Sequence, residues 1–463
     1  YHRRTSSITY LQKKFHTADL SVPALLMMGG ALYSMHFGAS SMVWPMTWGK
    51  ESGSSVFIAF IGAFITSLFL PLLAYVALAR GQGTYFGLAK RAMPKFGPIF
   101  TSVTIIIMGP LYTIPRMSAS SWDAICQATG FAPDSSIPII LFSAFYYALT
   151  YWFLAGRSDM MDKVSKFLFP VLILIVVAII GKGLMTPLGE WQPKTYETPA
   201  LAYGFTQGYA TSELLCALTF GIVVLNNLKG HGVTDERMNK NIIRVGIVGI
   251  GLLSLTHLGH MIVGANTGGT IELQYVTLYT QVAFELLGTI GGAIFSIGLV
   301  FASLTTAIGI SAATAEFCED ASNKKLKYKK SIAIVCIFSA IIGAIGLTNI
   351  LTYVAPIQDA VYPGAIILVL YYVLMPDCQN KRHLAVCKWG IIVSVFFGVL
   401  DGIYTYNNLL NLNLDWFVNL YLKLPFAEWK LAWVPVCAIV MACVYLFSSK
   451  KSEDVPVTDC ISE

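Results

Sequence analysis

The chain has 463 residues, of which 56% are apolar, 13% are aromatic and only 12% are charged. An ordinary soluble protein carries a more charged surface, so this composition excludes a soluble enzyme or binding module and indicates a polytopic membrane protein. About 20 apolar residues cross the hydrocarbon core of a bilayer as a helix, and the chain offers many such runs.

Twelve apolar runs stand out, and we number them spans one to twelve. They lie at roughly 22–45, 56–79, 96–125, 136–155, 161–183, 202–228, 242–265, 288–317, 331–352, 357–375, 385–406 and 431–448. The first run has no small-residue cleavage site, so we expect it to be a span and not a signal peptide. The predicted fold class is therefore all-α, with about 12 transmembrane helices in a single domain.

The net charge of +6 is distributed unevenly across the predicted membrane. Of the 31 Lys and Arg residues, 25 fall on the side that holds both termini. Cytoplasmic loops carry such an excess in membrane proteins. We therefore expect cytoplasmic termini, with tails at 1–20 and 449–463, and a basic face that meets anionic lipid and not nucleic acid.

Span one contains an interruption, because Phe37-Gly38-Ala39-Ser40-Ser41 lies in the middle of its apolar run. Glycine and serine are poor helix formers. Non-helical backbone at membrane depth persists only where it is buried in protein or lines an aqueous cavity. The interruption therefore predicts a binding site.

Span six repeats the pattern, with Gly208, Tyr209, Ala210, Thr211, Ser212 and Glu213 inside an apolar run. Two interrupted helices at corresponding places in two halves indicate an inverted-repeat transporter. Spans one to five, at about 20–185, and spans six to ten, at about 200–376, are the predicted repeats. Two additional helices at about 385–450 follow them.

Span three carries Gly109-Pro110 and Pro115-Arg116 within an apolar run. Proline removes a helical hydrogen bond, and an intramembrane arginine is costly unless it faces a polar interior or reaches the interface. Two interpretations stay open for Arg116: it reaches the outer interface, or it faces a polar interior.

Span eight places Ser303, Thr305 and Thr306 at membrane depth. Such hydroxyls often bond back to their own helix. Opposite an interrupted helix, the adjacent threonines favour a hard cation, which prefers oxygen ligands.

Before this span, residues 270–287 predict an extracellular loop helix that caps a cavity or lies at the interface.

Other polar residues allow two interpretations. His36 precedes the first interruption, and we favour a packed histidine over a proton relay. His257 and His260 have no carboxylate nearby in sequence, so a metal pair is not expected. Asp359 and Asp401 lie near predicted helix ends or breaks and are interpreted as interfacial.

Several strings resemble one family. They are FGASSMVWP in span one, MGPLYTIPR in span three, DKVSKFLFPVLILIVVAIIGKGLMTPLG in span five, GYATSELLCALTFGIVVLNNLKGHGV in span six, SLTTAIGISAATAEF in span eight and YPGAI in span ten. The chain resembles the bacterial branched-chain amino acid: cation symporters. The resemblance implies a bacterial inner-membrane carrier that imports leucine, isoleucine and valine with sodium. It also implies the five-plus-five inverted-repeat fold of the sodium-coupled leucine transporters, with spans one and six discontinuous.

By matching a sodium-site string of the wider group, the resemblance gives span eight a role. The implied ligands of the ion are the Thr305 and Thr306 hydroxyls and the carbonyls of Ala302, Ser34 and Phe37. No other cofactor and no obligate protein partner is expected.

The predicted substrate site uses the ends of the interrupted helices. Free N–H groups at a helix start suit an α-carboxylate, and free carbonyls at a helix end suit the ammonium. Tyr112 is the candidate hydroxyl for the carboxylate, and Tyr209 is a candidate wall. The full set is Gly38, Ala39, Ser40, Ser41, Tyr112, Phe205, Gly208, Tyr209, Thr211 and Glu213.

The chain departs from the family pattern at Ser40-Ser41 in place of Gly-Asn, at His36 in place of Phe, and at Glu213 in place of Asp. These differences leave an alternative, a proton-coupled transporter of another small neutral amino acid that uses Glu213 or His36.

An ion channel would show a ring of charges or carbonyls. An intramembrane enzyme would show a catalytic motif, and we find none in the sequence.

Overall fold

The computed structural model describes residues 19–156, 160–375 and 380–448, and every element within these ranges is a helix. Eight helical stretches are long and apolar enough to cross a membrane. They are Ala39–Gly81, Gly97–Thr129, Ile137–Ala155, Glu213–Gly230, Asp235–Ala265, Tyr275–Ala321, Leu347–Leu374 and Lys381–Leu410. Most of the predicted tails lie outside the described residues.

Shorter helices complete the bundle. They are Val22–His36, Tyr85–Ala92, Met160–Met185, of which Pro170–Met185 forms a short apolar helix, Ala200–Gln207, Tyr328–Gly343, Asp415–Tyr421 and Trp433–Phe447. The all-helical fold class is confirmed. Helices occupy all twelve predicted runs, while the number of crossings and the inverted repeat stay predictions.

Spans one and six are discontinuous, as predicted. Span one consists of helix 1a, Val22–His36, and helix 1b, Ala39–Ser52. Span six consists of helix 6a, Ala200–Gln207, and helix 6b, Glu213–Gly230. Pro45 lies inside helix 1b, so span one ends later than the predicted boundary of 45.

Spans nine and ten meet at a different place from the predicted one. Span nine ends at Gly343, and Gly346, with φ 86°, turns the chain into a helix that starts at Leu347. The predicted runs end span nine at 352 and start span ten at 357, directly after Pro356. That boundary is wrong, because a π-helical turn at Ile350–Val354 carries the helix past the proline.

Spans two and three also contain π-helical turns, at Phe64–Phe69 and Ile107–Thr113. Pro110 explains the second turn, since proline cannot donate to the helical ladder and a wider turn accommodates the lost bond. Pro110 therefore widens span three, and the helix continues through Pro115 without a break.

The predicted loop helix is the first part of a longer element. A helix runs from Tyr275 to Ala321 and changes direction at Gly288, whose backbone has φ 70° and ψ −175°. Only glycine adopts this region readily. The segment before Gly288 and span eight are thus joined without an intervening loop.

Candidate functional site

The interruption of span one is short and extended. Phe37 has φ −83° and ψ 67°, and Gly38 has φ −95° and ψ −179°. The Gly38 N–H donates to the His36 carbonyl at 3.0 Å, and not to Ser34, four residues earlier, as a continuing helix requires. Helix 1b then starts at Ala39 with a first turn of N–H groups that have no intrahelical partners.

The interruption of span six is longer. A 3₁₀ turn covers Gly208–Thr211, and Ser212 adopts the left-handed conformation with φ 62° before helix 6b starts at Glu213. A non-glycine residue pays a conformational cost there, so surrounding contacts must hold it. The Ser212 hydroxyl donates to the Gln358 side chain at 2.8 Å, and Gln358 donates to the Tyr209 carbonyl at 2.9 Å.

A buried polar cluster joins the two breaks. The Glu213 carboxylate accepts a hydrogen bond from the Ser41 hydroxyl at 2.5 Å and forms an ion pair with Nδ1 of His36. The other ring nitrogen of His36 bonds to the Tyr75 hydroxyl at 2.5 Å. His36 is buried, which both a packed histidine and a proton relay allow, and its carboxylate partner was not predicted.

Arg116 lies beside helix 1b and is fully buried. Its guanidinium donates to the Ala210 carbonyl at 2.5 Å and to the Ser40 hydroxyl at 2.8 Å, so it touches both breaks. The interpretation in which Arg116 reaches the outer interface is wrong. The π-helical turn and Pro115 direct this part of span three towards the interior.

The hydroxyls of Thr305 and Thr306 both donate to the Ala302 carbonyl, at 2.9 and 2.8 Å. A Cβ atom on Gly38 would lie 3.2 Å from Oγ1 of Thr306, so span eight packs directly against the first break. The Ser34 hydroxyl donates to Gly30 within helix 1a. Of the predicted sodium ligands on span eight, the structure therefore places Thr306 beside the break of span one.

The remaining substrate candidates occupy the second break. The Tyr112 hydroxyl donates to the Ala210 carbonyl at 3.4 Å, and Thr66 donates to the Phe205 carbonyl at 2.8 Å. Thr211 bonds back to Gly208 at 2.9 Å. Tyr209 is buried there, with its ring centroid 4.4 Å from that of Tyr362, and its role as a wall of the substrate site stays a prediction.

Sequence reasoning missed the residues that hold the second break. Gln358 is fully buried, and Tyr362 accepts from the Leu214 N–H at 3.3 Å. The sequence did give a signal for Gln358, which is a single amide in an apolar run. The sequence analysis considered its neighbour Asp359 instead. Thr66 and Tyr75 gave no signal, because isolated hydroxyl residues are common in such helices.

The other polar candidates lie elsewhere. His260 bonds to the Tyr279 hydroxyl at 2.7 Å and His257 to the Leu253 carbonyl at 2.9 Å. Within the described ranges, no group of three or more His, Cys, Asp or Glu residues could hold a metal ion. Asp401 is buried and accepts a hydrogen bond from the Tyr421 hydroxyl, while its interfacial position stays a prediction.

An apolar cavity of about 400 Å³ lies apart from both breaks, between span three and span eight. Its lining residues are Ile125, Ala128, Thr129, Ala293, Ser296, Ile297, Val300 and Phe301. None of the predicted site residues lines it.

Comparison with solved structures identifies the fold. The chain is similar to the inward-facing conformation of Mhp1, with a TM-score of 0.59, 10% identity and 95% of each chain covered. It is also similar to MhsT in complex with L-phenylalanine, with a TM-score of 0.53, 14% identity and coverage of 90% of this chain and 98% of MhsT. The chain therefore has a LeuT-type fold.

Comparison of sequences identifies the family. The family described as branched-chain amino acid transport protein matches residues 22–451. The branched-chain amino acid permease BraB of Bacillus subtilis is 30% identical over 423 residues, which cover 90% of this chain and 93% of BraB. The branched-chain amino acid transport system 3 carrier protein of Pseudomonas aeruginosa is 31% identical over 439 residues, covering 90% and 95%. The chain belongs to the branched-chain amino acid transport protein family.

Proposed function

We propose that the protein imports leucine, isoleucine and valine together with sodium by alternating access. The observation that carries this proposal is the packing of Gly38 in the first break against the Thr306 hydroxyl. Carbonyls released by a broken helix and hydroxyls of a neighbouring helix are the neutral oxygen ligands that a sodium ion uses. The Ala302, Ser34 and Phe37 carbonyls complete the proposed set.

The chemistry of these ligands favours sodium over a proton. Hydroxyl and carbonyl groups do not titrate near neutral pH, whereas a proton-coupled carrier needs a group that does. Both hydroxyls use their hydrogen to reach the Ala302 carbonyl. Their oxygen lone pairs therefore stay available to a cation.

The substrate is proposed to lie between the two breaks. The start of helix 1b supplies N–H groups, and Tyr209 with its stacked partner Tyr362 supplies an apolar wall. Each buried methylene of an aliphatic side chain contributes about 0.8 kcal/mol. Such a wall distinguishes leucine from alanine strongly and from isoleucine weakly.

The uneven distribution of basic residues supports cytoplasmic termini in a bacterial inner membrane. Sodium that binds better to the outward-open arrangement shifts the population towards it and so couples its gradient to substrate entry.

One observation favours proton coupling as a second candidate. His36 and Glu213 form a buried pair at the junction of the two breaks. Ionisable residues at membrane depth are costly and frequently carry protons in transporters. The pair would then bind or release a proton as the two broken helices separate.

The experiment is uptake of labelled leucine by proteoliposomes under imposed sodium or pH gradients. We expect Thr306→Ala to raise the sodium concentration for half-maximal uptake about tenfold, while Thr306→Ser, which keeps the oxygen, has a small effect. Thr150→Ala is the matched control, because Thr150 makes the same kind of bond to the carbonyl four residues earlier, at 2.9 Å, in span four.

Glu213→Gln separates the two candidates. Under sodium coupling this variant keeps its dependence on sodium. If the parent ignores sodium and follows the pH gradient, and Glu213→Gln removes that dependence, the sodium proposal is wrong and the proton candidate replaces it.

A further inference from the structure

Arg116 is a buried cation without a negative partner. Its side chain has no exposed surface, and no carboxylate lies within 4 Å of it among the residues that the structure describes. A charge taken out of water costs several kcal/mol unless an opposite charge compensates for it. Glu213, the carboxylate at the breaks, is already paired with His36.

The contacts that Arg116 does make are incomplete. The guanidinium lies 4.8 Å from the Trp44 ring and 4.4 Å from the Tyr112 ring, and it donates to Ser40 and Ala210. Its Nε atom is buried and has no hydrogen-bond partner. Neutral partners and aromatic faces stabilise a guanidinium less than a carboxylate does.

The position of Arg116 beside the start of a helix strengthens the argument for a bound anion. Its partner Ser40 is the second residue of helix 1b. A helix start carries about half a positive charge and unpaired N–H groups. A guanidinium beside it is therefore unfavourable until an anion binds between the two.

Arg91 provides the contrast within the same chain. It is also buried and also has unpaired nitrogens, and it donates to the Gly81 carbonyl at 2.9 Å. However, it lies in the last turn of the helix Tyr85–Ala92, where the negative end of the helix dipole favours a cation. Burial of an arginine alone therefore does not predict an anion, whereas burial at a helix start does.

We propose that Arg116 and the first turn of helix 1b bind the α-carboxylate of the transported amino acid. The proposal rests on the amino acid transport proposed above and adds a residue that the predicted substrate set does not contain. Adjacent serines extend the argument, because Ser40 contacts Arg116 while Ser41 contacts Glu213. Positive and negative groups one residue apart match the carboxylate and ammonium of one α-amino acid. Tyr112, beside the guanidinium, supplies a further hydroxyl.

The test compares leucine with leucinol, in which an alcohol replaces the carboxylate and the ammonium is kept. Both are titrated against the purified full-length protein in sodium-containing, chloride-free buffer. We expect the parent to prefer leucine by about 30-fold or more, the contribution of charge-assisted hydrogen bonds. Arg116→Gln should reduce the preference to a few-fold, and Arg116→Lys, which keeps the charge without the planar fork, should lie between them.

Arg91→Lys is the control for substitution of a buried arginine, and it should keep the parent's preference. If Arg116→Gln does not fold, Arg116→Lys decides, because an unchanged ratio of leucine to leucinol affinity in that variant contradicts the proposal. An unchanged ratio in a folded Arg116→Gln protein contradicts it as well.

Three further results have distinct meanings. If chloride is required for leucine binding, and Arg116→Gln removes that requirement without changing the preference for leucine over leucinol, the anion at Arg116 is chloride and the carboxylate proposal is overturned. If the parent binds neither leucine nor leucinol, the proposed transport function itself fails. A parent that binds both equally leaves the transport function standing and removes the role of Arg116.

Discussion

The two helix breaks face each other, yet they are built differently. The break of span one is two residues long and extended, and its Gly38 lies against the Thr306 side chain of span eight. The break of span six is filled by side chains from other spans, including those of Gln358 and Arg116. Side chains of other spans already bond to the Phe205, Tyr209 and Ala210 carbonyls at or beside the second break. This difference supports the proposal that an ion binds at the first break and that the second break forms a tightly held wall.

The closeness of packing at the two glycines supports the same division. A Cβ on Gly208 would lie 1.9 Å from Oγ1 of Thr66, whereas a Cβ on Gly38 meets nothing closer than 3.2 Å. Real Cβ atoms essentially never approach another atom within 3 Å. The second break therefore requires glycine for packing, whereas an added Cβ at the first break would make one tight contact, with the Thr306 side chain.

The largest effect is expected for Gly208→Ala, which tests whether the second break is rigid. The added methyl group forces span two and span six apart, and such overpacking costs about 1–3 kcal/mol. We expect a lower melting temperature of the purified protein and reduced uptake. Thr66→Ala in the same chain should restore part of the loss, since it removes the closest atom. Unchanged stability of Gly208→Ala would remove the distinction between the breaks.

Gly38→Val tests the first break, with a large effect on binding and a small one on stability. The extended φ and ψ of Gly38 are open to any residue, so a side chain there does not strain the backbone. The valine side chain would act only by filling the space beside Thr306. We expect a tenfold or greater loss of leucine and sodium affinity with a melting temperature near that of the parent.

Gly30→Val is the matched control for that variant, because Gly30 lies in helix 1a and has no atom within 4 Å of an added Cβ. Leucine binding by Gly38→Val at the parent's affinity would show that the site lies elsewhere.

The smallest effect concerns the contacts that fix the start of helix 1a. Asp19, just before helix 1a, pairs with Lys240 at 2.5 Å and with Arg237 at 3.2 Å on span seven. The hydrogen bond from Lys240 contributes most to lowering the pKa of Asp19 to about 2. A lowered pKa stabilises the fold above the ordinary value of 3.8, and this contribution is lost as the pH falls through 2.

Asp19→Asn should therefore lower the melting temperature slightly at neutral pH, and the difference from the parent should shrink between pH 4 and pH 2. The partly exposed pair is screened by solvent, so the change is small. A difference that stays constant over this range would contradict the assignment of these ion pairs.

Much of the fold could be predicted because its signals are local. Glycine and serine inside apolar runs indicated both breaks, and the structure confirms them at Gly38 and at Gly208. The predicted boundary between spans nine and ten was wrong for a reason that is also local. Pro356 follows a π-helical turn and does not start a span.

The contacts of the site could not be predicted in the same way, because they join residues far apart in the chain. His36 and Glu213 are 177 residues apart, and Ser212 and Gln358 are 146 apart. A single sequence does not show which polar side chains meet across a bundle. Sequence reasoning therefore located the two helix breaks but not the side chains from other spans that contact them.

The π-helical turn of span three has a consequence for the orientation of Arg116. An α-helix advances about 100° per residue, and a π-turn accommodates one additional residue without ending the helix. Removal of one residue from Ile107–Thr113 would restore the regular ladder and rotate Arg116, three residues beyond the turn, by about 100° around the axis of the helix. The guanidinium would then leave the two breaks and face a neighbouring span or the lipid. A single-residue insertion or deletion in this turn is thus sufficient, in evolution or by design, to gain or remove the positive charge at the centre of the bundle.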